Sequence, residues 1–181
     1  MIRTRVGYAG GTTKNPSYYN LADHTETIQI DYDPTQISYE ELLDIFWDSH
    51  SPNQQPFSRQ YMSIVFYHND EQKRLAMETR DREEAREKGK VFTDIVPASE
   101  FYLAEAYHQK YRLQQVSDIV KEFRAMYPDT NGFVASTAAA RVNGYVAGYG
   151  TFAILQKELS SFGLSEGGNK KLMDIVSTLK R

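Results

Sequence analysis

The 181 residues contain no cysteine. This excludes disulfides, thiolate metal sites and any cysteine nucleophile contributed by these residues, without choosing a redox compartment. Also lacking is a run of about eighteen apolar residues that could span a bilayer. No charged-then-apolar leader marks secretion, so the cytoplasm is the expected location and no membrane partner is expected. Strong positive charge is missing too. A net charge of −3 offers little for phosphate neutralisation, and no nucleic-acid partner is expected. His24, His50, His68 and His108 have no H-x-x-x-H spacing among them, so no metal site is expected. No bound cofactor is expected either. No internal repeat of solenoid length occurs.

What is present is enough chain for one well-buried domain with an appended element. The most informative stretch runs from Val6 to Pro34. Gly7, Gly10 and Gly11 permit close backbone approach, so Tyr8-Ala9-Gly10-Gly11 is expected to form a tight loop after a short strand. Thr27 to Tyr32 alternates, with Ile28, Ile30 and Tyr32 on one side, which predicts a half-buried strand stopped by Asp33-Pro34. Tyr18, Tyr19, His24 and Glu26 therefore sit on a loop anchored by a strand, a placement suited to working groups.

Ser38-Tyr39-Glu40-Glu41 has the form of a capping box and predicts a helix ending near Ser49. The segment 50–59 is a loop that delivers Gln60 and Tyr61 to a strand over 63–67. Residues 70–88 are dense in charge and predict a solvated helix ended by Gly89, followed by a strand over 91–95. Residues 101, 104, 108 and 111 recur at helical spacing. Val116 to Met126 predicts a helix closed by Pro128 and an Asn131-Gly132 turn. The glycine-rich segment 136–150 fits either a packed helix pair or a hinged lid. Two further helices are expected over 151–162 and 169–179.

The GYAGG turn, the Asn15-Pro16-Ser17-Tyr18 loop, the His24-Thr25-Glu26 pair and the strand ended by Asp33-Pro34 together resemble the peptide methionine-S-sulfoxide reductase (MsrA) family. The likeness continues through Ile37 to Leu43, Phe46-Trp47 and Gln60-Tyr61, and more weakly to Ala104-Glu105 and His108-Gln109. It covers residues 1–112. The resemblance implies an α+β fold, a mixed sheet with packed helices, N-terminally incomplete, with residues 113–181 as a helical extension. It implies reduction of methionine-S-sulfoxide, free or in peptides, to methionine, an oxidoreductase activity of protein repair under oxidative stress.

Such a reduction needs a soft nucleophile at sulfur and a general acid for the sulfoxide oxygen, because oxide is a very poor leaving group. Neutral donors must hold the S–O bond meanwhile. The resemblance makes Glu26 the proton donor and gives Tyr18 and Tyr61 to the substrate oxygen. His24 is counted in the substrate-binding set as an orienter of Glu26, with a surface residue as the alternative reading. The family's GCFWG nucleophile motif belongs upstream of Gly7. The expectation is an N-terminally shortened reading of a selenocysteine- or cysteine-containing protein, with the chain as written inactive. Pro56-Phe57-Ser58-Arg59 replaces a segment that holds an acid and a glycine in many relatives. Their Gly-Cys tail is absent too, which implies direct reduction by external thioredoxin or a small thiol. The alternative is a non-catalytic module that binds methionine sulfoxide or interacts through its helices.

Overall fold

The computed structural model describes residues 1–179, which fall into two units: Met1 with 6–104, and 2–5 with residues from 105 onward. β1 (Arg3–Ala9), of which residues 6–9 belong to the first unit, lies between β2 (Thr25–Asp31) and β5 (Tyr102–Leu103). β1 and β5 run antiparallel, with Gly7 opposite Leu103 and Tyr8 opposite Tyr102. A second, two-stranded sheet pairs β3 (Ser63–Tyr67) in parallel with β4 (Thr93–Pro97), from Ser63 opposite Thr93 to Tyr67 opposite Pro97. Parallel neighbours require a crossover, and α2 (Asp70–Glu87) supplies it. The fold is α+β, with parallel and antiparallel pairings both present.

The capping box forms as the sequence requires. Ser38 Oγ accepts from Glu41 N–H at 3.1 Å and Glu41 Oε2 accepts from Ser38 N–H at 2.7 Å, opening α1 (Tyr39–Asp48). Leu43 and Trp47 of α1 pack with Val65, Ala76 and Val91 to form the core of this half. The charges of α2 are largely structural. Arg82 reaches Glu40 and Asp44, and Arg86 reaches Asp48 at 3.2 Å, so the polar face of α2 is bonded to α1.

Several expected boundaries move. Tyr8 and Ala9 belong to β1 and the turn begins at Gly10, whose φ is +79°. β2 starts at Thr25, which is buried, whereas Ile28 is exposed, so alternation alone did not identify the covered face. The strand expected over 91–95 lies at Thr93–Pro97. Residues 101–111 do not form one helix: Tyr102 and Leu103 pair with β1, and Lys110 takes a left-handed φ of 52° that interrupts helical geometry. Strand pairing overrode the helical spacing.

The second unit contains α3 (Tyr111–Gln114), α4 (Ser117–Met126), α5 (Thr130–Ala135), α6 (Thr137–Val146), α7 (Phe152–Glu158) and α8 (Glu166–Thr178). Leu113, Ile119, Phe123, Phe133, Val142, Leu155, Phe162, Leu172 and Val176 form its apolar core. Asn131-Gly132 is not a turn but the start of α5, because Asp129 accepts from Gly132 N–H at 2.8 Å as a helix cap. The glycine-rich segment resolves into one helix, α6, followed by Gly148 and Gly150 at φ of +92° and +82°. Lys110 is buried, with Nζ donating to the backbone oxygen and hydroxyl of Thr4.

Two outcomes follow from this packing. A Cβ at Gly7 would lie 2.2 Å from Tyr102 O and 2.4 Å from the Phe101 ring. Gly7→Ala is therefore expected to cost about 1–3 kcal/mol, read as a lower urea midpoint; an unchanged midpoint would contradict the close approach. Burial, with the Arg5 charge second, pulls the Lys110 pKa down to about 8. A lysine with a folded pKa below its unfolded one binds fewer protons when folded, so stability rises as pH climbs from about 8 towards the ordinary lysine value. Urea denaturation at several pH values should show this rise in the wild type and lose it in Lys110→Met; parallel profiles would refute it.

Candidate active site

The site is built on the loop between β1 and β2. The glycines bring backbone amides close together, and the side chains of Asp23 and His24 occupy those amides. His24 is 1% exposed. Gly11 N–H donates to its Nδ1 at 3.3 Å, and its Nε2 lies 2.7 Å from Thr13 O. An acceptor at Nδ1 and a carbonyl at Nε2 fix the tautomer with the proton on Nε2. The Tyr102 ring meets the imidazole edge-on at 5.4 Å. A Cβ at Gly11 would fall 2.6 Å from the His24 imidazole and from Asp23 Oδ1, so only glycine allows the approach.

Asp23 completes the cradle. One carboxylate oxygen accepts from Thr12 N–H at 2.7 Å and Thr12 hydroxyl at 2.8 Å; the other accepts from Thr13 N–H at 3.3 Å and Thr13 hydroxyl at 3.1 Å. These bonds, the Thr12 hydroxyl first, hold the Asp23 carboxyl well below the usual carboxylate range.

Glu26 follows at the start of β2 and is exposed. Its Oε1 accepts from Gln60 Nε2 at 2.7 Å. Gln60 lies in the 3-10 turn Arg59–Tyr61, which packs against β2. The structure thus brings Glu26 and the turn carrying Tyr61 together through Gln60. Tyr61 is 56% exposed and Tyr18 is 40% exposed. Tyr18 sits in the turn closed by Ser17 and Asn20, and its ring meets Tyr19 edge-on at 5.5 Å. His24 is enclosed, with both ring nitrogens committed to loop backbone.

Sequence reasoning missed three contributors. Asp23 lies ten and eleven residues from the threonines it bonds, a separation at which no spacing rule links them. Gln60 carries no signal beyond the Gln-Tyr pair, and the bonds of Arg59 to Gly10 and Asp23 span 49 and 36 residues. Among the described residues no group of three or more histidine, aspartate or glutamate side chains is arranged to hold a metal ion. No helix there is long and apolar enough to cross a membrane.

The loop between β1 and β2 thus holds a buried imidazole and a threonine-bonded carboxylate, and Glu26 is bonded to the Gln60 that neighbours Tyr61. The sequence profile described as "Peptide methionine sulfoxide reductase" matches residues 1–139. The chain is 42% identical over 167 residues to a peptide methionine sulfoxide reductase of Drosophila melanogaster, covering 91% of this chain and 67% of that protein. It is 38% identical over 153 residues to peptide methionine sulfoxide reductase A5 of Arabidopsis thaliana, covering 81% of this chain and 59% of that one. The crystal structure of reduced Mxr1 from Saccharomyces cerevisiae superposes with a TM-score of 0.58 at 30% identity, over 62% of this chain and 70% of that one. The chain belongs to the peptide methionine sulfoxide reductase family. It spans between 59% and 67% of the length of these two curated relatives.

The Asp23 cradle has a direct test. In Asp23→Asn an amide group faces the donors of Thr12 and Thr13, and hydrogen exchange at the backbone N–H groups of both should accelerate about tenfold or more. Unchanged protection would show that the carboxylate does not order the loop.

Proposed function

We propose that this chain binds methionine-S-sulfoxide, free or in peptides, and takes part in its reduction to methionine. The observation that carries this reading is Glu26 held by Gln60 beside the Tyr61 turn, in a chain of this family. Glu26 is the proton donor. The hydroxyls of Tyr18 and Tyr61 hold the sulfoxide oxygen, their rings adding apolar wall. His24 serves the substrate-binding set by holding the loop that leads to Tyr18.

Overall, the sulfoxide and two thiols yield a thioether, a disulfide and water. The nucleophile attacks sulfur, the S–O bond breaks, and protons go to the departing oxygen. No cysteine is present in these 181 residues, so the attacking thiolate or selenolate lies outside them. The reductant is external, thioredoxin or a small thiol, and no bound cofactor enters the reaction. Residues 1–112 carry the reductase part and 113–181 the helical extension, with the cytoplasm as the place of action.

Calorimetric titration of the chain with N-acetyl-methionine-S-sulfoxide amide tests the reading. Binding is expected, with the thioether analogue bound more weakly. Tyr18→Phe and Tyr61→Phe should each lower sulfoxide affinity about twofold to tenfold, the range for one neutral hydrogen bond. Equal affinity for sulfoxide and thioether, or no binding, would overturn it.

A further inference from the structure

We propose that Arg59 and Gln60 are positioning residues that fix Glu26 and determine which of its oxygens delivers the proton; this rests on the sulfoxide-binding reading above. Arg59 is a three-way brace. Its Nε donates to Asp23 O at 3.1 Å, its Nη2 donates to Gly10 O at 3.1 Å, and its Nη1 lies 3.0 Å from Met62 Sδ. Its own carbonyl accepts from Thr25 Oγ1 at 2.9 Å. Four bonds thus tie one residue to the end of β1, the loop before β2, the first residue of β2 and the strand-ward side of its own turn.

A planar guanidinium can send donors in divergent directions, which a lysine ammonium on a flexible stem does not reproduce.

Gln60 uses that fixed frame. Its Nε2 donates to Glu26 Oε1 at 2.7 Å. An oxygen that accepts an amide hydrogen acts as the carbonyl oxygen of the protonated acid, which leaves Oε2 to carry the transferable proton. When that proton passes to the sulfoxide oxygen, the carboxylate left behind keeps the amide bond at Oε1. The geometry assigns proton delivery to Oε2 and holds the acid at one angle to the Tyr61 turn. A fixed S–O direction, with the Tyr61 ring walling one side of the sulfur, makes the two epimers present different carbon substituents to that wall.

The test uses the full ¹⁵N-labelled chain with two variants. In Arg59→Ala the Gln60 side-chain amide signals should move to the position of a free amide. Affinity for N-acetyl-methionine-S-sulfoxide amide should fall about twofold to tenfold, the range for one neutral hydrogen bond, here from the protonated Glu26 to the sulfoxide oxygen. The preference for the S epimer over the R epimer should vanish, and added guanidinium should restore it while Arg59→Lys does not. Gln60→Met removes the donor to Glu26 and leaves Arg59 in place. It should lose the epimer preference while the Gly11 and Thr12 amide signals stay put. Unmoved Gln60 signals in Arg59→Ala, or an unchanged epimer preference in Gln60→Met, would overturn the proposal. A wild-type chain that binds no sulfoxide would instead defeat the functional reading, and the brace would then stand or fall on the Gln60 signals alone.

Discussion

The imidazole of His24, closed off between the Gly11 N–H and the Thr13 carbonyl, is the contact on which the rest of the site depends. A loop of glycines and short polar residues has high conformational entropy, and ordering its backbone requires partners for its polar groups. Here His24 bridges Gly11 and Thr13, while the neighbouring Asp23 takes the N–H groups of Thr12 and Thr13. Two consecutive side chains at the end of the loop therefore order its beginning. Because Thr25 and Glu26 come next, the chain that holds the loop also carries the acid.

This arrangement separates structural from chemical groups. The buried members, His24 and Thr25, bond to backbone, to Gly11 and Thr13 and to the Arg59 carbonyl respectively. The exposed members are Glu26, Tyr18 and Tyr61, the residues to which the proposed function gives the chemistry. Glu26 lies at the boundary: its neighbour in sequence is buried, and its carboxylate is held by Gln60 rather than left to rotate. In the proposed reduction, such restraint lets binding of the oxygen and delivery of the proton occur in one geometry. The helical unit supplies none of these side chains, and Leu113, Ile119, Phe123 and their neighbours form its core.

Much of this was legible in the residues. The capping box at Ser38 and Glu41, the strand at Ser63–Tyr67 and the charged helix after Asn69 are local signals, and each formed where local rules place it. The strand β5 was not legible, because Tyr102 and Leu103 are fixed by pairing with residues almost the whole unit away in sequence. The burial of Thr25 and exposure of Ile28 likewise depend on what lies against β2, including the Arg59 turn. Within the site, the family pattern pointed to Tyr18, Glu26 and Tyr61 as candidates. The long-range bonds of Arg59 and Gln60 could not be read from it, since no spacing rule links residues 59 and 60 to residues 10, 23 and 26.

The central claim is that two phenols and one carboxyl converge on a single sulfoxide oxygen. The most direct measurement is a nuclear Overhauser spectrum of the chain bound to N-acetyl-methionine-S-sulfoxide amide carrying a ¹³C-labelled S-methyl group. The account predicts cross-peaks from that methyl group to the ring protons of both Tyr18 and Tyr61. Cross-peaks confined to the helical unit, or to only one of the two rings, would contradict it.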